Sequence, residues 1–518
     1  MSKDLPGNPR QEYFDTEHLT AAIGSRTARG GVVTIVSHGL KFALSIVATA
    51  FLARLLTPHD YGLIGMVAVF TGFVAMFKDL GLSLATVQRP EISDEQISTL
   101  FWVNVTLSAA ITALMIVLAP LIGWFYGEPR LTLITIVTAT GFLFGGLAVQ
   151  HEALLKRQMR FYALSVIAFM SMMIGYIVGI ILAWRGASYW SLVFSQLALL
   201  GSNTLAVWFT CRWRPGRPRR NTGVRSMLSF GGNITGYALI NYISKNCDNL
   251  VVGRSFGPEL LGLYSKAVQL LGLPTDQINE PLSTVSIPAL SRLADSPERY
   301  RQAYLRIMEK VILVTMPAVM LMMATADWLV LIILGPQWGE SARIFVFMGI
   351  AGLLQPVAAT GGWLLVSQGR VRDMLRWSLI NAPISILSIL AGLPWGVAGV
   401  AASFSIGRIL VANPLLFWFV GRTGPVRMTD FYRLLAPFTV ASICSLLGCL
   451  AFRHFVVITN PVVGFVACGI VMALSMPAFL ALMPAGRRAL ADIKNSALLL
   501  LPDNAKGDRI TGFLRSTR

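Results

Sequence analysis

The sequence predicts an all-α integral membrane protein: about fourteen transmembrane helices in two parallel-repeat six-helix lobes, followed by two extra C-terminal helices. Composition is the first reason. Of 518 residues, 55% are hydrophobic and 13% charged, with a mean hydropathy of +0.64, whereas a soluble domain carries about a quarter charged residues. The second reason is the recurrence of apolar runs of the roughly 20 residues needed to cross a hydrocarbon core of about 30 Å. They fall near 32–53, 61–82, 101–124, 131–150, 163–184, 188–210, 228–252, 258–290, 309–334, 342–366, 374–393, 396–420, 432–452 and 461–484. The third is an internal repeat, which decides architecture before any local reading. Arg54, Pro58, Gly62 and Leu63 recur as Arg254, Pro258, Gly262 and Leu263, and Leu154, Leu155, Gln158, Arg160 and Gly186 recur as Leu364, Leu365, Gln368, Arg370 and Gly396.

Residues 1–30 read as a cytoplasmic tail, with an interfacial helix expected around Thr16–Ala28. Asp4, Glu12, Asp15 and Glu17 stand among its cations, and the apolar run that follows is long enough to stay in the bilayer, so no cleavable signal is read. Residues 31–210 form the N-lobe, spans one to six. The first span carries Ser37, Lys41, Ser45 and Thr49 at intervals of four, which places them on one helical face. Pro58 and Gly62 turn the chain into the second span. Ser93 and Gln96 have capping-box spacing ahead of the third. Gly127–Arg130, Lys156–Arg160 and Gly186–Trp190 supply the next turns, and Arg212, Arg214, Arg217, Arg219, Arg220 and Arg225 with Pro215 and Pro218 make 211–227 a stiff basic linker.

Residues 228–420 form the C-lobe, spans seven to twelve. The seventh repeats the polar stripe with Tyr237, Asn241, Lys245 and Asn249, and Asn233 and Asp248 lie close to it. The eighth carries Tyr264, Lys266, Gln269, Asp276, Asn279 and Glu280 around Pro274 and Pro281, and a bend or break is expected at those prolines. An amphipathic surface helix is expected over Ser296–Lys310 before the ninth span, and Arg408 is the one formal charge inside the twelfth. Residues 421–484 hold spans thirteen and fourteen, outside the repeat and packed on the outside of one lobe. Residues 485–518 form a basic cytoplasmic tail containing Arg487, Arg488, Lys494, Lys506, Arg509, Arg515 and Arg518.

The net charge of +18 raises the question of nucleic acid, and its distribution answers it. Most of the 43 Lys and Arg fall in loops after even-numbered spans and in the two tails, which is the positive-inside pattern with both termini cytoplasmic. The charge therefore reports orientation and contact with anionic membrane lipids, and no nucleic-acid partner is read. Six spans separate the repeats, an even number, so the halves share one orientation, as parallel repeats do.

Polar stripes on spans one and seven have no partner in lipid, so both are expected to line a central cleft. Its polar lining would be Ser37, Ser45, Tyr237, Asn241, Asp248 and Asn249. A charge at mid-bilayer costs about 2.5–3.5 kcal/mol, so Lys41, Lys245, Lys266 and Arg408 need a reason. The functional reason is a site for a multiply charged anion such as pyrophosphate. The structural one pairs Lys245 with Asp248, three residues on along the same face, while Lys41 and Arg408 snorkel or bind carbonyls. Arg54 and Arg254 join the substrate-binding set by their repetition, or hold helix carbonyls or lipid phosphate. Asp276 and Glu280 are candidates for a coupling cation, or caps of broken backbone. Cys211, Cys247, Cys444, Cys449 and Cys468 match no metal or disulfide spacing, and His38 and His151 are isolated. Phosphate loops, paired-aspartate motifs and long outer loops are missing, so no catalytic residue, metal or cofactor is expected.

Four runs carry a resemblance: Phe51-Leu-Ala-Arg-Leu-Leu-Thr-Pro-His-Asp-Tyr-Gly62, Gln88-Arg-Pro-Glu-Ile-Ser-Asp-Glu-Gln-Ile-Ser-Thr-Leu-Phe-Trp102, Gly186-Ala-Ser-Tyr-Trp-Ser-Leu-Val193 and Val252-Gly-Arg-Ser-Phe-Gly-Pro258. With them the chain is similar, over about residues 25–485, to the Wzx-type polysaccharide transporter branch of the multidrug/oligosaccharidyl-lipid/polysaccharide exporter superfamily. It is most like exopolysaccharide and lipopolysaccharide repeat-unit flippases. The resemblance implies a flippase moving an undecaprenyl-pyrophosphate-linked oligosaccharide across the bacterial cytoplasmic membrane by rocking of two lobes, with a polysaccharide polymerase and a chain-length regulator as partners. It also implies a cationic cavity, which Lys41, Lys245, Lys266 and Arg408 fit in kind. A peptidoglycan-precursor flippase, a drug or cation antiporter of the superfamily, and a membrane polymerase or ligase are the alternatives. The excess of cations argues against the antiporter, and the short outer loops against the polymerase.

Overall fold

In the computed structural model the described residues are 23–78, 83, 86, 87, 89, 92–219, 224–484, 486, 487 and 491; the side chains of 23–35, 224–238, 276, 280 and 371 lie outside that description. The expected Thr16–Ala28 helix therefore lies in part outside it, and residues from Ile23 onward belong to the first helix.

Seventeen α-helices and no strand are present among the described residues. They are α1 (Ile23–Leu55), α2 (Pro58–Ala75), α3 (Asp94–Tyr126), α4 (Arg130–Ala139), α5 (Gly141–Arg157), α6 (Phe161–Trp184), α7 (Trp190–Thr210), α8 (Val224–Ser291), α9 (Pro297–Ala324) and α10 (Ala326–Ile333). There follow α11 (Gly339–Gly352), α12 (Gln355–Ser367), α13 (Val371–Gly392), α14 (Gly396–Gly407), α15 (Asn413–Gly421), α16 (Met428–Phe455) and α17 (Pro461–Leu482). Among the described residues ten stretches are long and apolar enough to cross a membrane, one of them the 50-residue run Arg372–Gly421. The all-α membrane class holds; the expected count of fourteen is not reproduced by length and hydropathy alone. The helix at the second expected span, α2, opens with His59 and Asp60 and is 18 residues long.

The starts and stops follow local chemistry. At α3, Ser93 Oγ accepts from the Gln96 backbone N–H while the Gln96 side chain accepts from the Ser93 N–H, so two orphan donors are satisfied and the capping box read from spacing is present. Thr57 and Asp60 form a second box at α2, with Pro58 at the first helical position. Gly127, φ 72°, ends α3 in the left-handed region.

The offset of 210 in the sequence repeat is a repeat of one turn. After α5, Met159 sits at φ 52° and the Arg160 N–H reaches Leu155 O at 3.0 Å. After α12, Gly369 sits at φ 69° and the Arg370 N–H reaches Leu365 O at 2.8 Å. Each is a left-handed helix stop in which the third residue past the helix bonds back over the last turn. Gly186 and Gly396 share a positive φ, 81° and 73°, Gly396 with an extended ψ of −168°.

α8 contains the seventh and eighth expected spans, 228–252 and 258–290, with the turn between them in the repeated hairpin where the sequence expects it. At 68 residues and 1.5 Å per residue a straight helix would run about 100 Å, three times a bilayer core. It is broken at Gly257 (φ 83°, ψ −180°). That conformation is open to glycine at little cost, whereas Pro274 and Pro281, where a further bend or break was expected, lie within continuous helix. The expected surface helix over Ser296–Lys310 is likewise the first part of α9, because Pro297 starts a helix that nothing interrupts before Thr325.

The helices group into two compact units: residues 1–268, 330–344 and 375–404, and residues 269–329, 345–374 and 405–518. In the first, Ile97, Leu100, Phe101, Leu154, Leu155, Ile167, Val207 and Trp213 form a buried cluster joining α3, α5, α6 and α7. The linker takes part in it. Trp213 is fully buried, its indole N–H donates to Asp94 Oδ1 at 2.6 Å, and its ring stands edge-on to Phe101 and His151. Gly216 is pinned by Ser98 and Trp102, and Arg219 pairs with Glu95. Residues 211–219 are thus a docked strap across the start of α3. Burial there pushes the Cys211 thiol pKa up. In the second unit α16 and α17 pack on each other and on α9, around Met320, Ala324, Cys449, Cys468 and Met472. The Arg301 guanidinium meets Asp430 at 2.5 Å across α9 and α16.

Candidate functional site

The expected cleft residues fall into distinct environments. On α1, Ser37, Lys41, Ser45 and Thr49 are all half-buried, and Tyr176 Oη of α6 lies 3.4 Å from Ser45 Oγ. On the first arm of α8, Asn241 is half-buried, Lys245 exposed, Asp248 buried and Asn249 half-buried. The side chains of Tyr237, Asp276 and Glu280 lie outside the described residues.

Lys245 does not pair with Asp248. The Asp248 carboxylate instead accepts from Tyr264 Oη at 3.0 Å and from the Asn249 N–H at 2.8 Å. Tyr264 lies on the second arm of α8, so this hydrogen bond ties the two arms across the Gly257 break. Lys266, two residues on, is also buried, with Nζ 4.0 Å from the centroid of the Tyr61 ring, close enough for a cation–π contact strengthened by exclusion of water. Of the four intramembrane cations, the structure therefore puts Lys41 and Lys245 in more open positions than Lys266. Arg408, in the second unit, is half-buried and opens a π-helical turn, Arg408–Ala412, a local widening that periodicity does not reveal.

Arg54 and Arg254 are both exposed but engaged differently: Arg54 donates to Ile332 O at 2.9 Å, and Arg254 lies 6.0 Å from the Phe125 ring. Around them the two copies of the repeated hairpin meet. A Cβ built on Gly62 would fall 1.6 Å from Pro258 O, and one built on Gly262 would fall 1.9 Å from Pro58 O. Trp338 Nε1 donates to Ala53 O at 2.8 Å, Gln337 donates to Ala53 O and Leu56 O, and the Trp338 ring packs edge-on to Tyr61. Tyr242 Oη on α8 donates to Val69 O on α2 at 2.9 Å.

Several of these residues were not singled out by sequence. Tyr61, Gln337 and Trp338 are aromatic or amide groups near helix ends, and Tyr242 is one more aromatic within a helix, all common enough to carry no pattern. Asn381 of α13, whose Nδ2 lies 3.4 Å from Ser244 Oγ and whose Oδ1 is buried without a hydrogen-bond partner, faces the same arm of α8. Among the described residues no cluster of three His, Cys, Asp or Glu has the geometry for a metal. His38 is exposed, while His151 is fully buried, stacked on Trp208 at 4.5 Å between ring centroids.

An all-α, multi-pass membrane protein with polar and cationic side chains inside its helices is the class that these features define. The solved structure titled "Lipid II flippase MurJ, inward closed conformation" shares the fold: TM-score 0.70 at 13% identity, covering 88% of this chain and 98% of that one. The family model described as "Polysaccharide biosynthesis protein" matches residues 51–343, and the chain belongs to that family. Among curated relatives, the teichuronic acid biosynthesis protein TuaB of Bacillus subtilis (strain 168) is 26% identical over 84% of this chain and 91% of its own length. The lipopolysaccharide biosynthesis protein WzxC of Escherichia coli (strain K12) is 25% identical over 77% and 81%.

Proposed function

We propose that this protein is a flippase that carries a polyprenyl-pyrophosphate-linked oligosaccharide repeat unit across the bacterial cytoplasmic membrane for polysaccharide synthesis. Family membership is the observation that carries this reading. The relatives named for teichuronic acid and lipopolysaccharide synthesis and the flippase whose fold the chain shares support it. It is a transport reading and assigns no catalytic residue.

In this reading both termini are cytoplasmic, and two lobes, 31–210 and 228–420, alternate access to a cleft between them. Lys41 and Lys245 draw in the pyrophosphate, whose charge offsets the cost of holding cations within the membrane. Lys266, Arg408, Arg54 and Arg254 add positive potential along the path. The polar lining of Ser37, Ser45, Tyr237, Asn241, Asp248 and Asn249 meets sugar hydroxyls, while the polyprenyl tail remains in lipid. Asp276 and Glu280 would be the acidic pair that binds a coupling cation. A polymerase and a chain-length regulator would take up the product.

The test is reconstitution in vesicles containing a polyprenyl-pyrophosphate oligosaccharide, with glycan accessibility followed by an added glycan-cleaving enzyme. Protein-free vesicles should stop at the outer-leaflet half, and protein-containing vesicles should approach full cleavage. Equal plateaus would remove the flippase reading, and altered glycan chain length would replace it with a polymerase or ligase.

A further inference from the structure

The transport reading uses only the two arginines of the repeated hairpin and leaves its prolines and glycines unexplained, and the structure gives these a reciprocal form. Gly62 of the first copy lies under the carbonyl of Pro258 in the second, and Gly262 of the second lies under the carbonyl of Pro58 in the first. Both obstructing atoms are backbone, so no rotamer change relieves them. Any side chain at either glycine prevents this approach. The repeat therefore preserves two halves of one joint: each hairpin supplies a proline-stiffened turn and a bare helix surface to receive the other.

Further contacts close over the joint. Residues 335–341 lie across it, through Gln337 and Trp338 to the carbonyls of Ala53 and Leu56 and through Ser341 Oγ to Leu263 O at 2.9 Å. Arg54 reaches Ile332 O from the other side. Leu63, Met66, Leu261 and Ser341 are fully buried there. Gly62 follows Tyr61, and Lys266 stands one helical turn after Gly262. The approach that seats each glycine thus also brings the Lys266 ammonium onto the Tyr61 ring. The joint is made of backbone packing and of hydrogen bonds to backbone carbonyls, with no ion pair among the contacts named, so it can be remade in a cycle.

We propose that the repeated Arg-x3-Pro-x3-Gly-Leu hairpin is a reversible glycine–proline clasp that closes one end of the transport path. Its release opens that end and uncovers Lys266 to the anionic headgroup of the departing substrate. This rests on the transport reading above, but the clasp can be tested without substrate. Ser341→Cys serves as a reporter in protein held in lipid nanodiscs, where both faces are accessible. An impermeant maleimide should label it slowly in the parent background and at least ten-fold faster with Gly62→Ala or Gly262→Ala, while overall helicity and elution volume stay unchanged.

Should the alanine variants fail to fold, Gln337→Leu and Trp338→Phe together remove three hydrogen bonds over the joint without touching either glycine, and should still accelerate labelling several-fold. Folded variants with Ser341→Cys as protected as in the parent would overturn the clasp. Faster labelling of the variants, beside a parent protein that itself fails to flip the lipid-linked oligosaccharide, would keep the clasp and discard the flippase reading. Unchanged protection alongside normal flipping would do the reverse.

Discussion

Truncating Trp213 to alanine should release the strap formed by residues 211–219. The side chain is fully buried, and removing a buried aromatic of this size costs about 3–5 kcal/mol. Its indole N–H also donates to the Asp94 carboxylate, a charge-assisted bond worth about 1.5–3 kcal/mol that Trp213→Phe would remove while keeping most of the ring. At 1.4 kcal/mol per factor of ten, the open population should rise about 100-fold or more in the alanine variant and about 10- to 100-fold in the phenylalanine variant. Limited trypsinolysis reads this directly. Arg214 and Arg217 precede prolines and resist trypsin, whereas the Arg212–Trp213 bond is cut only when Trp213 leaves its pocket. The rate of appearance of the fragment beginning after Arg212, identified by mass, should follow that order. Equal rates in parent and Trp213→Ala would refute a docked strap.

The remaining predictions concern turns, an ion pair, the cleft and topology. Gly369→Ala should destabilise by about 1–2 kcal/mol, the cost of a left-handed conformation for a residue with a Cβ, and Met159→Gly should be neutral or stabilising, both read by chemical unfolding. Arg301→Ala should cost about 1–3 kcal/mol in the same assay: Asp430 is left buried with its capping bond to the Arg427 N–H, and the one-third exposure of Arg301 keeps the figure below that of a fully buried pair. Lys41→Ala and Lys245→Ala should each lower polymer export at least ten-fold at unchanged protein level; normal export in both would remove the cationic cleft. A cysteine placed at Arg219 should require a permeant reagent in intact cells and one at Gly127 should not, and the reverse pattern would invert the topology.

What sequence could and could not reveal divides along physical lines. Signals that act within a few residues were legible. Ser93 and Gln96 satisfy each other's backbone because their spacing matches one helical turn, and the Leu-Leu-x2-Gln-x-Arg repeat encodes the same left-handed stop twice. The family was legible for a similar reason, since its motifs cluster at turns where backbone geometry restricts residue choice.

Long-range choices were not legible. The turn between the seventh and eighth spans falls at Gly257, inside the expected hairpin, but the further break expected at Pro274 and Pro281 is absent, because the helix continues through both prolines. Trp213 sits among arginines and prolines and reads as linker; only its neighbours Phe101, Trp208 and His151, contributed by α3, α5 and α7, show that it is core. A polar stripe likewise identifies a helix face but not what faces it. Thus Lys245 is exposed, while Lys266, equally prominent in sequence, is covered by Tyr61.

The docked strap also sets a length of tether. Arg219 is held against the first turns of α3 by Glu95 and Thr99, and α8 begins at Val224, five residue steps away. At about 3.6 Å per step the chain spans at most about 18 Å. The beginning of α8 therefore cannot swing further than that from the strap's anchor while the anchor holds, and inserting residues between the two would lengthen the leash.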